Sequence, residues 1–365
     1  MNTADLLLDA RGPEILHRSG ITAPDPFIYI YPEGGAPTVF FDAREYDVQK
    51  QKLTALGSGV QIERLEPFWK GGLSETLLSI LHELKIDTVR ISPAMEYRYV
   101  SALQEDRTVI QVHDYEAERD KKTEKEIQMM VDAQRVNESA FDLVWNILSE
   151  SVVKGNQILY RDEVLTSEIL KSKIRIHLLE AAYGCPDGLI VASGEQTARP
   201  HGEGVGPILP YEAIIVDIFP RSEATGYVAD MTRTFVKGKP KKDVLELFQA
   251  VEAVQKEIVD SIQVGERCCD VHARTITAFE KLGHPTSPER GFMHGTGHSL
   301  GLSVHEGPRI NRTCERTIEA GMTLTVEPGL YYPGIGGVRI EDVIVFHPDG
   351  RKENITQFNK PTFIV

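Results

Sequence analysis

The sequence predicts a mixed α and β protein of two domains, and three observations carry that reading. Strand-like and helix-like segments alternate from residue 27 to residue 113, a charged stretch then leads into one long helical pattern, and the C-terminal part gathers carboxylates at the ends of short apolar runs with histidines in a glycine-rich segment. A chain of 365 residues with 41% hydrophobic and 26% charged content has room for two cores. The division falls at residues 1–118 and 119–365.

In the first domain, Phe27-Ile-Tyr-Ile-Tyr31, Thr38-Val-Phe-Phe41, Val60-Gln-Ile-Glu63, Thr88-Val-Arg-Ile91 and Thr108-Val-Ile-Gln-Val112 carry the β-branched and aromatic residues of strands. Between them, Arg44–Leu56, Ser74–Leu84 and Ala94–Leu103 are long enough for helices. The rhythm is that of a small α/β domain. The N-terminus has no basic n-region and no long apolar core, so no signal peptide is expected and the location is read as cytoplasmic.

The stretch Glu116–Glu126 reads as a solvated linker running into a helix start, with Thr123 and Glu126 spaced as a capping box. Apolar residues at Ile127, Met130, Ala133, Val136, Ala140, Val144 and Ile147 then recur at helical spacing. A second helix is expected over Ser167–Tyr183 with Gly184 as its left-handed cap, and two more over Lys242–Val264 and Asp270–Leu282. Strands are expected at Leu189–Ala192, Ala213–Phe219, Thr323–Glu327 and Gly337–Val345.

The formal net charge of -14 argues against nucleic acid or an anionic membrane as partner, since either needs a basic face. No apolar run approaches the roughly 20 residues of a membrane helix. Four cysteines without knuckle or scaffold spacing read as packed thiols of a reducing compartment. No nucleophile elbow, P-loop or dinucleotide fingerprint is present, which leaves acyl-enzyme, nucleotide and redox chemistry without apparatus.

The chemistry sits on five short segments: Val216-Asp217-Ile, Ala229-Asp230-Met-Thr-Arg-Thr, His294-Gly-Thr-Gly-His298, Thr325-Val-Glu327-Pro-Gly and Val338-Arg-Ile-Glu341-Asp. Four carboxylates and an imidazole are hard donors able to hold two divalent cations, and the set lacks the thiolates of a structural zinc cluster. A strand period of two gives each carboxylate a polar neighbour on its own face, among them Thr232, Thr325 and Arg339, suited to holding the carboxylates in position. His294 and His298 are four apart, as in a helical ligand pair, but Gly295, Gly297 and Gly301 favour an extended segment that approaches a ligand closely. His298 is then the ligand, with His294 and His305 nearby. The bland alternative is three core histidines satisfied by hydrogen bonds.

With these motifs the chain from about residue 120 onward resembles the pita-bread metallopeptidases, particularly the proline-specific branch of aminopeptidase P and prolidase. The resemblance implies an α+β fold, with a pita-bread catalytic domain preceded by a smaller creatinase-N-like α/β domain. It implies Asp217, Asp230, His298, Glu327 and Glu341 as ligands of two divalent metal ions per subunit, with manganese the first choice and cobalt, zinc or iron also suitable. It places proton-handling and substrate-binding roles on His201, His294 and His305, with Glu327 as general base, and Arg339 joins the substrate-binding set. Arg309, beside the histidine segment, is the candidate partner of a substrate carboxylate.

The implied activity is metal-dependent exopeptidase cleavage before proline, on a short peptide with proline at its second position, by a homodimer. The alternatives are another pita-bread hydrolase without proline specificity, such as a methionine aminopeptidase or a creatinase-like enzyme, and a non-catalytic peptide-binding module. The chain departs from the family pattern at Phe219, where glycine is usual, and in a hairpin from Asp217 to Asp230 about two residues longer than expected.

Overall fold

Thr3–Asp9, where the sequence reading placed no element, is an interior strand, β1, of a six-stranded sheet. The computed structural model describes residues 2–358 and 363–365. The chain divides into two units, Met1–Arg119 and Asp120–Val365. In the first, β2 (Phe27–Pro32), β3 (Thr38–Phe41), β4 (Gln61–Arg64), β5 (Thr88–Ile91) and β6 (Val109–Val112) join β1 in the order β4-β3-β2-β1-β5-β6. β1 runs antiparallel to β2 and parallel to β5.

Both faces of this sheet are covered. Leu6, Leu8, Ile28 and Val89 pack with α3 (Leu73–Glu83) and α4 (Tyr97–Glu105), while Leu7, Tyr29 and Phe41 pack with α1 (Pro13–Ser19) and α2 (Tyr46–Leu56). A strand buried on both sides carries no alternation, which is why Leu6-Leu7-Leu8 gives no period-two signal. α4 starts three residues later than expected because Ser92 folds the preceding residues into a turn, its hydroxyl accepting the Ala94 N–H at 3.0 Å.

The second unit opens with α5 (Glu124–Glu150), whose capping box is complete: Thr123 accepts the Glu126 N–H, and the Glu126 carboxylate accepts the Thr123 N–H at 2.8 Å. The residues just before it are not the solvated linker predicted. Asp120 and Lys122 are buried, at 5% and 3% exposure. A three-stranded meander follows that the sequence reading missed, β7 (Val152–Lys154), β8 (Gln157–Tyr160) and β9 (Glu163–Val164). α6 (Ser167–Glu180) ends earlier than predicted. Ala182 takes the left-handed conformation at φ 60°, and Gly184 lies instead in β10 (Tyr183–Gly184).

β11 (Ile190–Ser193), β12 (Ile214–Ile218) and β14 (Met231–Phe235) form an antiparallel sheet backed by α5 and α6, with β13 (Arg221–Ser222) paired to β10. α7 (Lys242–Ser261) and α8 (Cys268–Lys281) back the remaining strands: β15 (Gly297–Ser299), β16 (Glu306–Ile310), β17 (Thr323–Val326), β18 (Gly329–Tyr332), β19 (Gly336–Arg339), β20 (Asp342–Phe346) and β21 (Lys352–Asn354). The single strand expected over Gly337–Val345 is two. Glu341 leaves the ladder because its N–H bonds the Thr232 carbonyl at 3.1 Å and its own carbonyl accepts from Arg233. No helix among the described residues is long and apolar enough to cross a membrane.

Candidate active site

Strand alternation delivers the first carboxylate. Ile214, Val216 and Ile218 of β12 enter the core under α5 and α6, so Asp217 points the other way, into a cavity of ≈ 480 Å³. Asp217 stands opposite Thr232 in β14, and Asp230 lies one residue before that strand. Glu327 follows β17 directly and Glu341 falls in the break between β19 and β20. His298 sits on β15, pressed so closely onto β17 that a Cβ at Gly297 would lie 1.9 Å from the Thr325 carbonyl oxygen. All five candidate ligands line the one cavity, together with His201, His294, His305, Arg309 and Arg339.

Asp230, His298 and Glu341 each offer one donor atom within 4.8 Å of the others. His298 Nε2 is 3.3 Å from Glu327 Oε1 and 3.8 Å from Asp230 Oδ2. Its other nitrogen, Nδ1, donates to the Ser299 carbonyl at 3.1 Å, which leaves the Nε2 lone pair directed at the carboxylates. Thr232 Oγ1 donates to Glu341 Oε2 at 2.7 Å, and Thr325 Oγ1 accepts the His298 N–H at 3.0 Å. From behind, α5 grips both ends of the hairpin: Asn137 donates to the Ile218 carbonyl at 2.7 Å, and the Gln134 side chain accepts the Asp230 N–H at 3.3 Å.

This packing decides the protonation states. Burial, with repulsion from neighbouring carboxylates, raises the pKa values of Asp230 and Glu341, and burial pushes Glu327 up to about 7. Burial drives His298 the other way, down to about 3, so its imidazole is neutral. Buried carboxylates that repel one another beside a neutral imidazole fit divalent cations, which would stabilise the ionised carboxylates and coordinate Nε2.

Arg339, expected in the substrate-binding set, makes four hydrogen bonds within the protein. Its Nη2 donates to Asp217 Oδ2 at 2.6 Å, Nη1 to the Tyr331 hydroxyl at 2.8 Å and the Pro200 carbonyl at 3.2 Å, and Nε to Thr232 Oγ1 at 3.2 Å. Four of the five guanidinium N–H groups are thereby engaged within the protein, consistent with the holding role its position on β19 suggests. His294 is similarly tied, Nδ1 to the Gly295 carbonyl at 2.7 Å and Nε2 to the Tyr331 hydroxyl at 2.9 Å, and it meets the cavity as a neutral ring wall. His201, His305 and Arg309 are exposed on the cavity rim, with the His305 ring edge-on to His298 at 4.4 Å between centroids. Phe219 also lines the cavity. Sequence reasoning missed Tyr331, Asn137 and Gln134, which act through geometry no local motif records.

A sequence model of metallopeptidase family M24 matches residues 128–348, and the chain belongs to that family. It is 28% identical over 365 residues to an Xaa-Pro dipeptidase of Pyrococcus horikoshii, covering 96% of this chain and 92% of that protein. Among solved structures, it superposes on an Xaa-Pro dipeptidase from Bacillus anthracis with a TM-score of 0.80 at 24% identity, covering 100% of this chain and 95% of that one. An X-Pro aminopeptidase from Thermotoga maritima gives a TM-score of 0.80 at 23% identity, covering 100% and 97%. Their likeness shows the shared fold.

Proposed function

We propose that the chain is a metal-dependent exopeptidase that hydrolyses the bond between an N-terminal residue and proline. The observation that carries this reading is the convergence of Asp217, Asp230, His298, Glu327 and Glu341 in one cavity. Relatives named Xaa-Pro dipeptidase and X-Pro aminopeptidase support the choice of substrate. The five side chains would hold two divalent cations, with manganese first and cobalt, zinc or iron accepted by the same donors. When bound, such cations polarise a carbonyl oxygen and make a water acidic enough to attack near neutral pH.

The remaining work falls to the protein. Glu327 accepts the proton of the attacking water on its carboxylate and returns it to the leaving proline nitrogen. His305 and His201, at the rim, donate hydrogen bonds to the substrate carbonyl as charge develops on its oxygen. Arg309 pairs with the terminal carboxylate of a dipeptide. Arg339 holds Asp217 in position through its 2.6 Å hydrogen bond, while Thr232 and Thr325 fix Glu341 and His298.

The same reading takes the protein as a cytoplasmic homodimer. Its four free thiols are in keeping with a reducing compartment, and the dimer rests on the family resemblance and is read directly by sedimentation. The test of the activity is hydrolysis of Ala-Pro, Ala-Pro-Ala and Ala-Ala-Ala by manganese-loaded protein, with a chelated control. Cleavage of the proline peptides alone, abolished by chelation, is expected. Cleavage of Ala-Ala-Ala at an equal rate would remove the proline assignment.

A further inference from the structure

The first turn of α8 brings two cysteines distant in sequence together. Arg267 pairs with Thr317 in an isolated antiparallel bridge, and the contact continues into the helix: the Cys268 N–H bonds the Arg316 carbonyl and the Cys269 N–H bonds the Cys314 carbonyl, both at 2.9 Å. The α-carbons of Cys268 and Cys314 therefore flank a single peptide hydrogen bond, and disulfides span α-carbons about 4.4–6.8 Å apart. Both thiols are free, with Cys268 buried and Cys314 partly exposed.

The side chains are neighbours as well as the backbones. Burial, with the Cys314 thiol beside it, pushes the Cys268 pKa up to about 12. Cys269 is not placed to compete, because consecutive residues of a helix do not face each other and its Sγ lies 3.9 Å from Asp270 Oδ1. The turn after β16 closes around Cys314: Asn311 Oδ1 accepts the N–H groups of Thr313 at 3.1 Å and Cys314 at 3.0 Å, and Asn311 lines the active-site cavity. A bond from Cys314 to Cys268 would close the chain segment that carries His298, His305 and Arg309.

We propose that Cys268 and Cys314 are a modification site, forming a reversible disulfide with a peroxide as oxidant and fastening this segment to α8. Cys314 is the thiol a peroxide reaches. Its sulfur attacks one peroxide oxygen, the O–O bond breaks, and the thiol proton leaves with the other oxygen as water, which makes Cys314 a sulfenic acid. The Cys268 sulfur then attacks the Cys314 sulfur: the S–S bond forms, the S–O bond breaks, and hydroxide departs with the Cys268 proton as a second water. Two thiols lose two electrons between them, and hydrogen peroxide is reduced to two waters. Cys268, buried and held protonated, is the resolving partner and not the first attacker.

The test treats folded, manganese-loaded wild type, Cys314→Ser and Cys269→Ser with hydrogen peroxide, blocks the remaining thiols and maps the bridges by mass spectrometry after digestion, with no assay of hydrolysis. Wild type is expected to lose two of its four thiols to one Cys268–Cys314 bridge within the chain and to recover both with dithiothreitol. While bridged it should unfold at a higher urea concentration than the reduced protein, because the closed loop restrains the unfolded chain. Cys269→Ser is expected to form the same bridge and Cys314→Ser to form none. A bridge from Cys269 to either neighbour, a bridge between two chains, Cys314 sulfinic acid without a bridge, or four intact thiols would overturn the site. So would a bridged protein that unfolds no later than the reduced one.

Discussion

Arg339 Nη2 donates to Asp217 Oδ2 at 2.6 Å, and the two side chains are 5% and 12% exposed. The guanidinium thus neutralises one carboxylate of a crowded buried set and spends its other donors on Tyr331, Pro200 and Thr232. Removing one partner of a buried pair strands the other. Arg339→Met is therefore expected to cost about 3–5 kcal/mol in the chelated protein, measured by urea unfolding. Affinity for manganese, measured by calorimetry, is expected to fall about 10–100-fold. Unchanged affinity would mean that Asp217 needs no such support.

Lys122 Nζ lies 3.1 Å from Glu306 Oε2 and 3.2 Å from Ser299 Oγ, with the Lys122 and Glu306 side chains 2% and 1% exposed. Glu306 Oε1 in turn accepts the Leu302 and Ser303 N–H groups, both at 3.1 Å, which folds the loop between His298 and His305. Lys122→Met should destabilise by about 3–5 kcal/mol, because a carboxylate stays buried without its ammonium. Adding Glu306→Gln should restore much of the loss. A double variant as unstable as the single one would contradict this account of the loop.

Gly297 is fixed by space. A Cβ there would overlap the Thr325 carbonyl, and β17 cannot yield without moving Glu327. Gly297→Ala is expected to lose about 3 kcal/mol or more. Manganese uptake should fall with it, since His298 is the next residue. A stable variant that binds manganese like wild type would show that β15 shifts without cost.

Burial holds His272 neutral, its pKa down to about 4 with the Arg312 charge adding to the effect. The folded value lies below the unfolded value of about 6.5, so as pH falls below that point the unfolded chain binds a proton that the folded chain does not, and stability is lost until the folded value is reached. At pH 5.5 this histidine costs about 1 kcal/mol. Glu327, raised to about 7, works in the opposite sense, but equally in wild type and variant. His272→Gln in chelated protein should therefore lose less stability between pH 7.5 and 5.5 than wild type does. Equal losses would place the imidazole in contact with solvent.

What could be read from the chain depended on how far apart the interacting residues lie. Asp217, Asp230, Glu327 and Glu341 each carry a local signature, a carboxylate at the end of a short apolar run, His298 lies in a glycine-rich segment, and the structure gathers all five in one cavity. The Thr123–Glu126 cap was equally legible because its partners are three residues apart. Lys122 was not. Its partners are 177 and 184 residues away, and within a run of charges a buried lysine looks like its solvated neighbours. Tyr331 owes its contact with Arg339 to the β18–β19 register, which pairs Gly329 with Arg339 and which no single-segment pattern specifies. β1 escaped because both its faces are buried, and β7 to β9 because strands of two to four residues are too short for periodicity to register.

The most direct test is a manganese titration of chelator-treated protein, followed in parallel by calorimetry and by hydrolysis of Ala-Pro. Two equivalents bound, proton release near pH 6.5 as the raised carboxyl groups ionise, and cleavage appearing with occupancy are the predicted result. Cleavage of Ala-Pro at full rate with the chelator present, or no manganese uptake at all, would contradict it.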